Sequence, residues 1–431
     1  MHKICIVTLG CPKNVVEAEN IAGILKEKGH ILTIDLNKAD TALVHTCSFI
    51  RDAKRESEKF IKGLLKLKEK GKIRKIFVSG CLVQSEGRTL ASSFPEVDGF
   101  LGTGELNRIS SLIETGGGFI CNEPGGLLES PNPRVLSSSG SSAYLKVSEG
   151  CSHKCSFCFI PEIRGRYKSR KTEHIVKEAG ILADNGIKEL VLVAQDVTSF
   201  GRDLYGYKAL PKLIEKLAKI EGIEWIRMLY GYPASISNEL IACFERFPKL
   251  CKYIDVPLQH ISNRVLKNMG RPIDAGKIVK KLKEEIPDIA IRTSFIVGFP
   301  GETKKDFEKL KNFVKEGWFD NLGVFEYSDE KRTGSYKLAG KISEEEKRSR
   351  KRELMEAQKL VVKEKNKDKL NKVVKVLVEK KISGKKFEGR ACFQAPEVDS
   401  KIIFSADNIK TAFVDVLLTG FKGYDLFGKK V

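Results

Sequence analysis

Short apolar runs alternate along the first part of the chain with longer segments in which apolar residues recur every three or four positions. The short runs are typical of buried strands, and the longer segments are typical of amphipathic helices. We predict strands at 4–9, 41–45 and 75–79, each followed by a helix, at 15–28, 52–70 and 85–92. Because strands that alternate with helices form parallel sheets covered by helices, we expect an α/β domain over residues 1–134.

The alternation resumes at residue 143, after a segment rich in proline and serine (129–142) that marks a domain junction. Six strands are predicted, at 144–148, 189–194, 225–230, 252–256, 290–297 and 321–326. The helices between them are predicted at 174–185, 210–220, 238–247, 274–285 and 304–316. Six strands are too few for a closed eight-stranded barrel. They predict an open partial (β/α)6 barrel with its functional residues at the carboxyl ends of the strands.

The last part of the chain changes to a different pattern. A helix at 342–369 carries charges of both signs and is predicted to be a solvated connection. Short strands at 373–378, 387–393, 401–404 and 412–418 predict a small five-stranded β-barrel, related in style to OB-type nucleic-acid binders. Bases can stack on residues such as Phe404 and Phe421, but packing in the core is the preferred interpretation for both. The predicted domains are 1–134, 143–366 and 367–431.

The composition is that of a soluble globular protein, with 41% hydrophobic and 31% charged residues among 431. No apolar stretch approaches the roughly 18 residues that a membrane helix needs, and no secretory signal is visible. We therefore expect a cytoplasmic protein without membrane contact, whose 11 cysteines are reduced thiols or metal ligands. The net charge of +20 favours a polyanionic partner such as RNA or a ribonucleoprotein. A lysine-rich proteome explains the charge equally well.

Three cysteines, Cys151, Cys155 and Cys158, stand within eight residues, directly after the first predicted strand of the partial barrel. Three thiolates can hold three irons of a four-iron cluster and leave the fourth iron open to a small molecule. A zinc site and a disulfide with one spare thiol are the alternatives. Zinc usually takes four ligands, and His153 is poorly placed between its neighbours to be the fourth.

A second trio, Cys11, Cys47 and Cys81, follows the three strands predicted in the first domain. The carboxyl ends of parallel strands meet at one edge of a sheet, so these thiols are expected to converge on a second iron–sulfur cluster with one open iron. Each cysteine alone would be an ordinary buried residue. The remaining cysteines do not share this position and are predicted to be core or incidental: Cys5, Cys121, Cys243, Cys251 and Cys392.

The C-x3-C-x2-C spacing, with Phe157 before its last cysteine, resembles the radical S-adenosylmethionine (radical SAM) superfamily. The resemblance implies that SAM chelates the open iron and that one electron from the cluster releases a 5′-deoxyadenosyl radical. Residues 296–302 resemble a strand that borders the adenine of SAM, so Gly298 is expected beside the cofactor. Gln195, which ends the second barrel strand, is the other expected neighbour of SAM. For His260, a place in the core is at least as well supported as a catalytic role.

Residues 9–14, 46–50 and 79–81 resemble the amino-terminal domain of the methylthiotransferases, in which a second cluster takes part in delivering sulfur. The pair Pro12-Lys13 resembles the RimO branch, since the MiaB branch usually carries Gln-Met there. Further segments similar to the RimO branch are 194–196, 230–233 and 394–399, although Ser400 stands where glycine is usual. The position of the terminal barrel resembles that of the family's TRAM domain.

This resemblance implies a transferase that adds a methylthio group to the β-carbon of an aspartate in ribosomal protein S12. Its cofactors would be two 4Fe-4S clusters and SAM, with one SAM supplying the methyl group and another the radical. The implied partners are S12, alone or on the ribosome, and a reducing electron donor, while contact with RNA through the C-terminal domain stays open. The alternatives are a tRNA (adenosine) methylthiotransferase of the MiaB type and a nonenzymatic iron–sulfur protein that binds RNA or carries electrons.

Overall fold

The computed structural model describes residues 1–126, 134–137 and 140–431, so residues 129–133 and 138–139 of the expected domain junction lie outside the described residues. The strands are β1 (Lys3–Thr8), β2 (Ile31–Thr33), β3 (Thr41–Thr46), β4 (Lys75–Gly80), β5 (Gly99–Leu101), β6 (Gly118–Ile120), β7 (Ser142–Lys146), β8 (Ser148–Glu149), β9 (Lys168–Ser169), β10 (Glu189–Val193), β11 (Trp225–Met228), β12 (Leu250–Asp255), β13 (Ala290–Val297), β14 (Asn321–Glu326), β15 (Val373–Ser383), β16 (Lys386–Ala391), β17 (Ile402–Ser405), β18 (Phe413–Lys422) and β19 (Asp425–Lys430).

The α-helices are α1 (Pro12–Glu27), α2 (Arg51–Glu69), α3 (Cys81–Glu86), α4 (Arg88–Ser93), α5 (Ile109–Glu114), α6 (Ile160–Arg164), α7 (Thr172–Asp184), α8 (Arg202–Tyr205), α9 (Leu210–Ala218), α10 (Asn238–Arg246), α11 (Asn263–Asn268), α12 (Ala275–Glu285), α13 (Lys304–Lys315) and α14 (Glu344–Lys367). Among the residues described, no helix has both the length and the apolar character that a membrane span needs.

The N-terminal domain is a parallel sheet of six strands in the order β2-β1-β3-β4-β5-β6. One apolar cluster packs α2, α3 and α4 on one face, and another packs α1 and α5 on the other. This is the predicted α/β domain. Its central strands β1, β3 and β4 were predicted, while β2, β5 and β6 were not, because three residues are too few to show a pattern.

The central sheet is also parallel, and its six strands follow chain order from β7 through β10 to β14. Its outer face packs against the crossover helices in the largest apolar cluster of the protein. Its inner face packs against α1 and the C-terminal domain in a separate cluster. The predicted open partial barrel is therefore confirmed, and its inner face is covered by the two flanking domains.

The C-terminal domain is a closed barrel in the order β15-β16-β17-β19-β18, as the predicted five-stranded barrel required. Phe404 is 1% exposed and stacks on Phe387 with ring centroids 5.9 Å apart. Phe421 is partly buried against the same core. The preference for core packing over base stacking is therefore confirmed for Phe404.

The prediction of a solvated helix is wrong for one face of α14. Leu354 and Gln358 are fully buried, and the helix packs along α13 and β14. Sequence analysis did not detect this buried face, because it includes the charged residues Lys347 and Arg350. Arg350 donates a hydrogen bond to the backbone oxygen of Glu302 at 3.2 Å. The helix is thus part of the central core.

A loop of the C-terminal barrel, residues 392–400, docks into the inner face of the central sheet. Arg227 donates to the backbone oxygen of Cys392 at 2.6 Å. Tyr253 and Arg292 each donate to the Asp399 carboxylate at 2.7 Å. The loop includes residues 394–399, so the segment that resembles the RimO branch forms the contact between the two domains.

Glu189 stands between two buried arginines at this contact. Its carboxylate lies 2.7 Å from Arg227 and 2.6 Å from Arg390. Burial by itself raises the pKa of Glu189, but the charges of Arg390 and Arg227 outweigh it and lower that pKa to about 2. The folded-state pKa is depressed, so the carboxylate stabilises the fold at pH values above its ordinary pKa of 4.5, and the contribution is lost as the pH falls toward about 2.

We predict that Glu189→Gln lowers the free energy of unfolding by about 3–5 kcal/mol, because two buried arginines lose their counter-charge. Urea denaturation followed by tryptophan fluorescence measures the loss, since Trp225 packs against Phe413 at 4.8 Å across this contact. The matched control is Glu224→Gln, which removes an exposed pair with Lys375 and should cost no more than about 1 kcal/mol. Equal losses in the two variants would contradict the prediction.

Candidate active site

The structure brings Cys11, Cys47 and Cys81 together at one edge of the N-terminal sheet. Cys11 caps the start of α1, Cys47 follows β3, and Cys81 is the first residue of α3. The preceding strands β1, β3 and β4 are neighbours in the sheet. The loops are so close that a Cβ on Gly10 would lie 2.5 Å from the Cβ of Cys47.

Asn14 and Arg164 hold the loops of this trio in place. The Asn14 amide donates to the backbone oxygens of Leu9, at 2.7 Å, and Thr46, at 3.1 Å. The Arg164 guanidinium donates to the Cys81 sulfur at 3.0 Å and to the Asn14 amide oxygen at 2.8 Å. Arg164 belongs to α6 of the central domain, so one sulfur of this trio accepts a hydrogen bond from a residue outside the N-terminal sheet.

The first trio, Cys151, Cys155 and Cys158, lies in the loop between β8 and α6. The backbone N–H of Cys158 donates to the oxygen of Cys155 at 3.1 Å, and that of Cys151 donates to Gly165 at 3.1 Å. Arg271 approaches the Cys155 sulfur at 3.5 Å. A guanidinium therefore lies beside one sulfur in each trio.

Burial sets the protonation of these thiols when no metal is bound. It raises the pKa of Cys81 and of Cys158 to about 12 and that of Cys151 to about 11. Burial also raises the pKa of Cys47. Such thiols are protonated at neutral pH, so a metal that binds them has to displace protons.

His153 lies within the motif but is engaged elsewhere. Its Nε2 atom is hydrogen-bonded to Asp196 at 2.7 Å, and its ring stacks on Tyr232 with centroids 3.6 Å apart. The Arg271 guanidinium also lies over the Tyr232 ring, 4.4 Å from its centroid. This arrangement fixes the loop that carries Cys155.

The two trios border one junction between the domains. Cys81 packs against Phe159, the residue after Cys158, and against Ile163. On another side, the loop after β11 reaches both trios. Tyr230 lies beneath Lys13, two residues from Cys11, and Tyr232 contacts the loop of Cys155 through His153 and Arg271.

A buried ionic network fills the same junction. Glu17 of α1 accepts hydrogen bonds from Arg164, from Lys146 at 2.7 Å and from His45 at 2.9 Å. Lys146 also donates to Glu149 at 2.5 Å. Burial raises the pKa of Glu17, but Arg164, Lys146 and His45 together lower it well below its ordinary value. Sequence analysis missed this network, because charged residues on helices and strands usually indicate solvent exposure.

The predicted neighbours of SAM lie at the carboxyl ends of their strands. Gln195 donates from Nε2 to Glu149 at 2.7 Å, and its buried Oε1 has no partner among the described residues. Gly298 has a φ of +75°, its backbone N–H donates to Glu302, and a Cβ there would lie 2.2 Å from the side chain of Lys347. His260 is fully buried, and its Nδ1 accepts from the backbone of Ser262 at 2.9 Å, which agrees with a place in the core.

The donor sets suit a cluster better than a single ion. Each trio offers three thiols, which can ligate three irons of a four-iron cluster and leave the fourth iron open. A structural zinc site usually takes four ligands. The residues present thus fit the group that the sequence predicts.

Comparisons with known proteins cover all three domains. Residues 3–102 match the uncharacterized protein family UPF0004, residues 145–314 match the radical SAM superfamily, and residues 372–431 match the TRAM domain. A ribosomal protein uS12 methylthiotransferase RimO from Endomicrobium trichonymphae is 46% identical, covering 99% of this chain and 98% of its own length. Another from Pelotomaculum thermopropionicum is 43% identical, covering 100% and 99%.

Among solved structures, the chain resembles the radical S-adenosylmethionine methyltransferase TsrM from Kitasatospora setae, with a TM-score of 0.56 and 13% identity over 75% of this chain and 74% of that one. This likeness supports the fold alone. The sheet order, the cysteine motif and the superfamily match define a radical SAM protein with a second cysteine trio in its N-terminal domain. The chain belongs to the RimO family of ribosomal protein uS12 methylthiotransferases.

We predict that Gly10→Ala displaces Cys47. The added Cβ would meet both the Cβ and, at 2.9 Å, the sulfur of Cys47. The free energy of unfolding should fall by roughly 1–3 kcal/mol, and Cys47 in the metal-free protein should react faster with an alkylating reagent. Gly29→Ala is the matched control, since Gly29 also has a positive φ, of +80°, but open space around it. Unchanged Cys47 reactivity in Gly10→Ala would contradict the prediction.

Proposed function

We propose that this chain is a radical SAM methylthiotransferase that adds a methylthio group to the β-carbon of an aspartate in ribosomal protein uS12. The observation that carries the proposal is the match, over essentially the whole chain, to curated uS12 methylthiotransferases that are 41–46% identical. The site supports it, because two cysteine trios meet at one junction. The charge of +20 and the TRAM match support contact with RNA in addition.

In this proposal, Cys151, Cys155 and Cys158 hold the 4Fe-4S cluster that binds SAM, and Cys11, Cys47 and Cys81 hold the second 4Fe-4S cluster. Gln195 and Gly298 border SAM, and the unpartnered Oε1 of Gln195 is a free acceptor for it. When bound, these groups would supply the reductive cleavage of SAM to a carbon radical and would take part in delivering the sulfur. The chain divides into 1–134, 143–366 and 367–431, in keeping with the three matched families.

The protein's own residues position the reactants and shield them. A methylene C–H is not acidic enough for a side-chain base, so proton transfer by this chain cannot start the reaction. Arg164 and Arg271 place positive charge beside Cys81 and Cys155, where thiolates and cluster add negative charge. The buried pairs around Glu17 hold the two trios at a fixed separation. The electron comes from an external donor. The enzyme binds uS12 either free or on the ribosome.

We predict that single cysteine variants separate two activities. Cys155→Ala should abolish both the formation of 5′-deoxyadenosine and the methylthiolated product. Cys47→Ala should abolish the product and leave SAM cleavage running, because the first trio is intact. Cys392→Ala is the control that keeps both activities, since Cys392 is exposed and outside both trios. Iron and sulfide are counted in each anaerobically prepared variant. If Cys47→Ala still forms the methylthiolated product, the second trio has no role in the reaction.

We also predict the substrate. The reconstituted enzyme, supplied with SAM and a reductant, should add the mass of one methylthio group to uS12 or to a peptide from it. The same enzyme should leave transfer RNA unmodified. Mass spectrometry of separate incubations measures both, and modification of transfer RNA alone would replace this proposal with the MiaB-type activity. Absence of 5′-deoxyadenosine in all incubations would exclude both enzymes.

A further inference from the structure

Lys13 occupies a particular place at the junction of the two trios. It is the second residue of α1 and stands two positions after Cys11. Its ammonium lies 3.8 Å from the centroid of the Tyr230 ring, which belongs to the central domain. Lys13 and Tyr230 are both half-buried. The side chain therefore spans the junction and is partly open to a molecule that enters it.

The charge of Lys13 is paired with no carboxylate in the part of the chain that the structure describes, and the groups that favour it are the neighbouring Cys11 thiol, the Tyr230 ring and the more distant Glu149. No carboxylate there lies within 4.0 Å of its Nζ, and Nζ donates no hydrogen bond to a described residue. Lys146, the other lysine at this junction, contacts two carboxylates, Glu17 at 2.7 Å and Glu149 at 2.5 Å. An aromatic face compensates a cation only in part, so the Lys13 ammonium can still bind an anion that enters the junction.

The backbone around Lys13 adds to its preference for an anion. Helix α1 has 16 residues, no acidic residue in its first turn and no side-chain hydrogen bond at its cap. The amino end of such a helix carries a partial positive charge that attracts negative groups. The lysine charge and the amino end of α1 therefore both attract an anion to this position.

Tyr230 is a rigid platform for this lysine. It has a φ of +65°, a conformation that non-glycine residues seldom adopt. Its N–H donates to Asp255 at 3.1 Å, and its carbonyl accepts from Val197 at 3.1 Å. A strained residue held from both sides keeps its ring fixed, so the ammonium above the ring is also held in position.

We propose that Lys13 binds the side-chain carboxylate of the aspartate that is modified, and thereby selects aspartate as the substrate residue. This inference rests on the proposed function. In aspartate the carboxylate carbon is bonded directly to the β-carbon, so a cation that fixes the carboxylate also fixes the reacting carbon. The position of Lys13 beside Cys11 places that carbon next to the second trio. A neutral nucleobase has no negative charge to pair with this ammonium.

The experiment compares two uS12 peptides that carry aspartate or asparagine at the modified position. Affinity for the reconstituted holoenzyme is measured by fluorescence anisotropy, and product by mass spectrometry. The wild type should bind the aspartate peptide about 30-fold or more tightly than the asparagine peptide, the loss typical of removing one partner of a buried charge pair. Lys13→Met should bind both peptides equally and form little product, with unchanged iron content and SAM cleavage.

Two further variants separate recognition from structure. Lys13→Arg keeps the positive charge and should keep the preference for aspartate. Lys26→Met makes the same substitution at an exposed position of α1 and should behave as the wild type. A Lys13→Met enzyme that still prefers aspartate overturns the role of Lys13 and leaves the proposed function standing if the wild type forms product. A wild type that never modifies uS12 overturns both proposals.

Discussion

The orientation of the two cysteine trios depends on four buried charges, those of Glu17, Lys146, Glu149 and Arg164. Each of these residues is at most 7% exposed, and the pairs join α1 of the first domain to β7, β8 and α6 of the second. Buried ions cost several kcal/mol each to remove from water, and only well-aligned partners repay that cost. A slight shift between the domains would break the alignment, so the network selects one arrangement.

Arg164 connects this network with the sulfur atoms. The Arg164 guanidinium contacts Glu17, Asn14 and Cys81, and its backbone follows Cys158, the last cysteine of the first trio, by six residues. Hydrogen bonds to a ligand sulfur and the charge nearby both influence the potential of an iron–sulfur centre. The Arg164 side chain thus stabilises the contact between the domains and places positive charge beside the Cys81 sulfur.

Much of the fold could be predicted, since short runs rich in apolar and β-branched residues, such as those in β3 and β13, alternate with amphipathic helices. The placement of the six cysteines followed from the rule that strand ends meet at one edge, although their role as ligands stays a prediction. What sequence analysis missed depends on partners distant in the chain. Glu17 and Arg164 look like surface charges until the domains meet, and the buried side of α14 includes polar residues such as Gln358.

Helix α14 connects two distant parts of the protein. At its start, Lys347 fills the space beside Gly298 and Arg350 contacts the turn at Glu302. At its end, Lys365 pairs with Asp320 at 2.9 Å and the chain enters the C-terminal barrel. With 24 residues the helix is about 36 Å long. Because α14 packs on α13 and β14 of the central domain, a single helix joins the turn after β13 to the start of the C-terminal barrel.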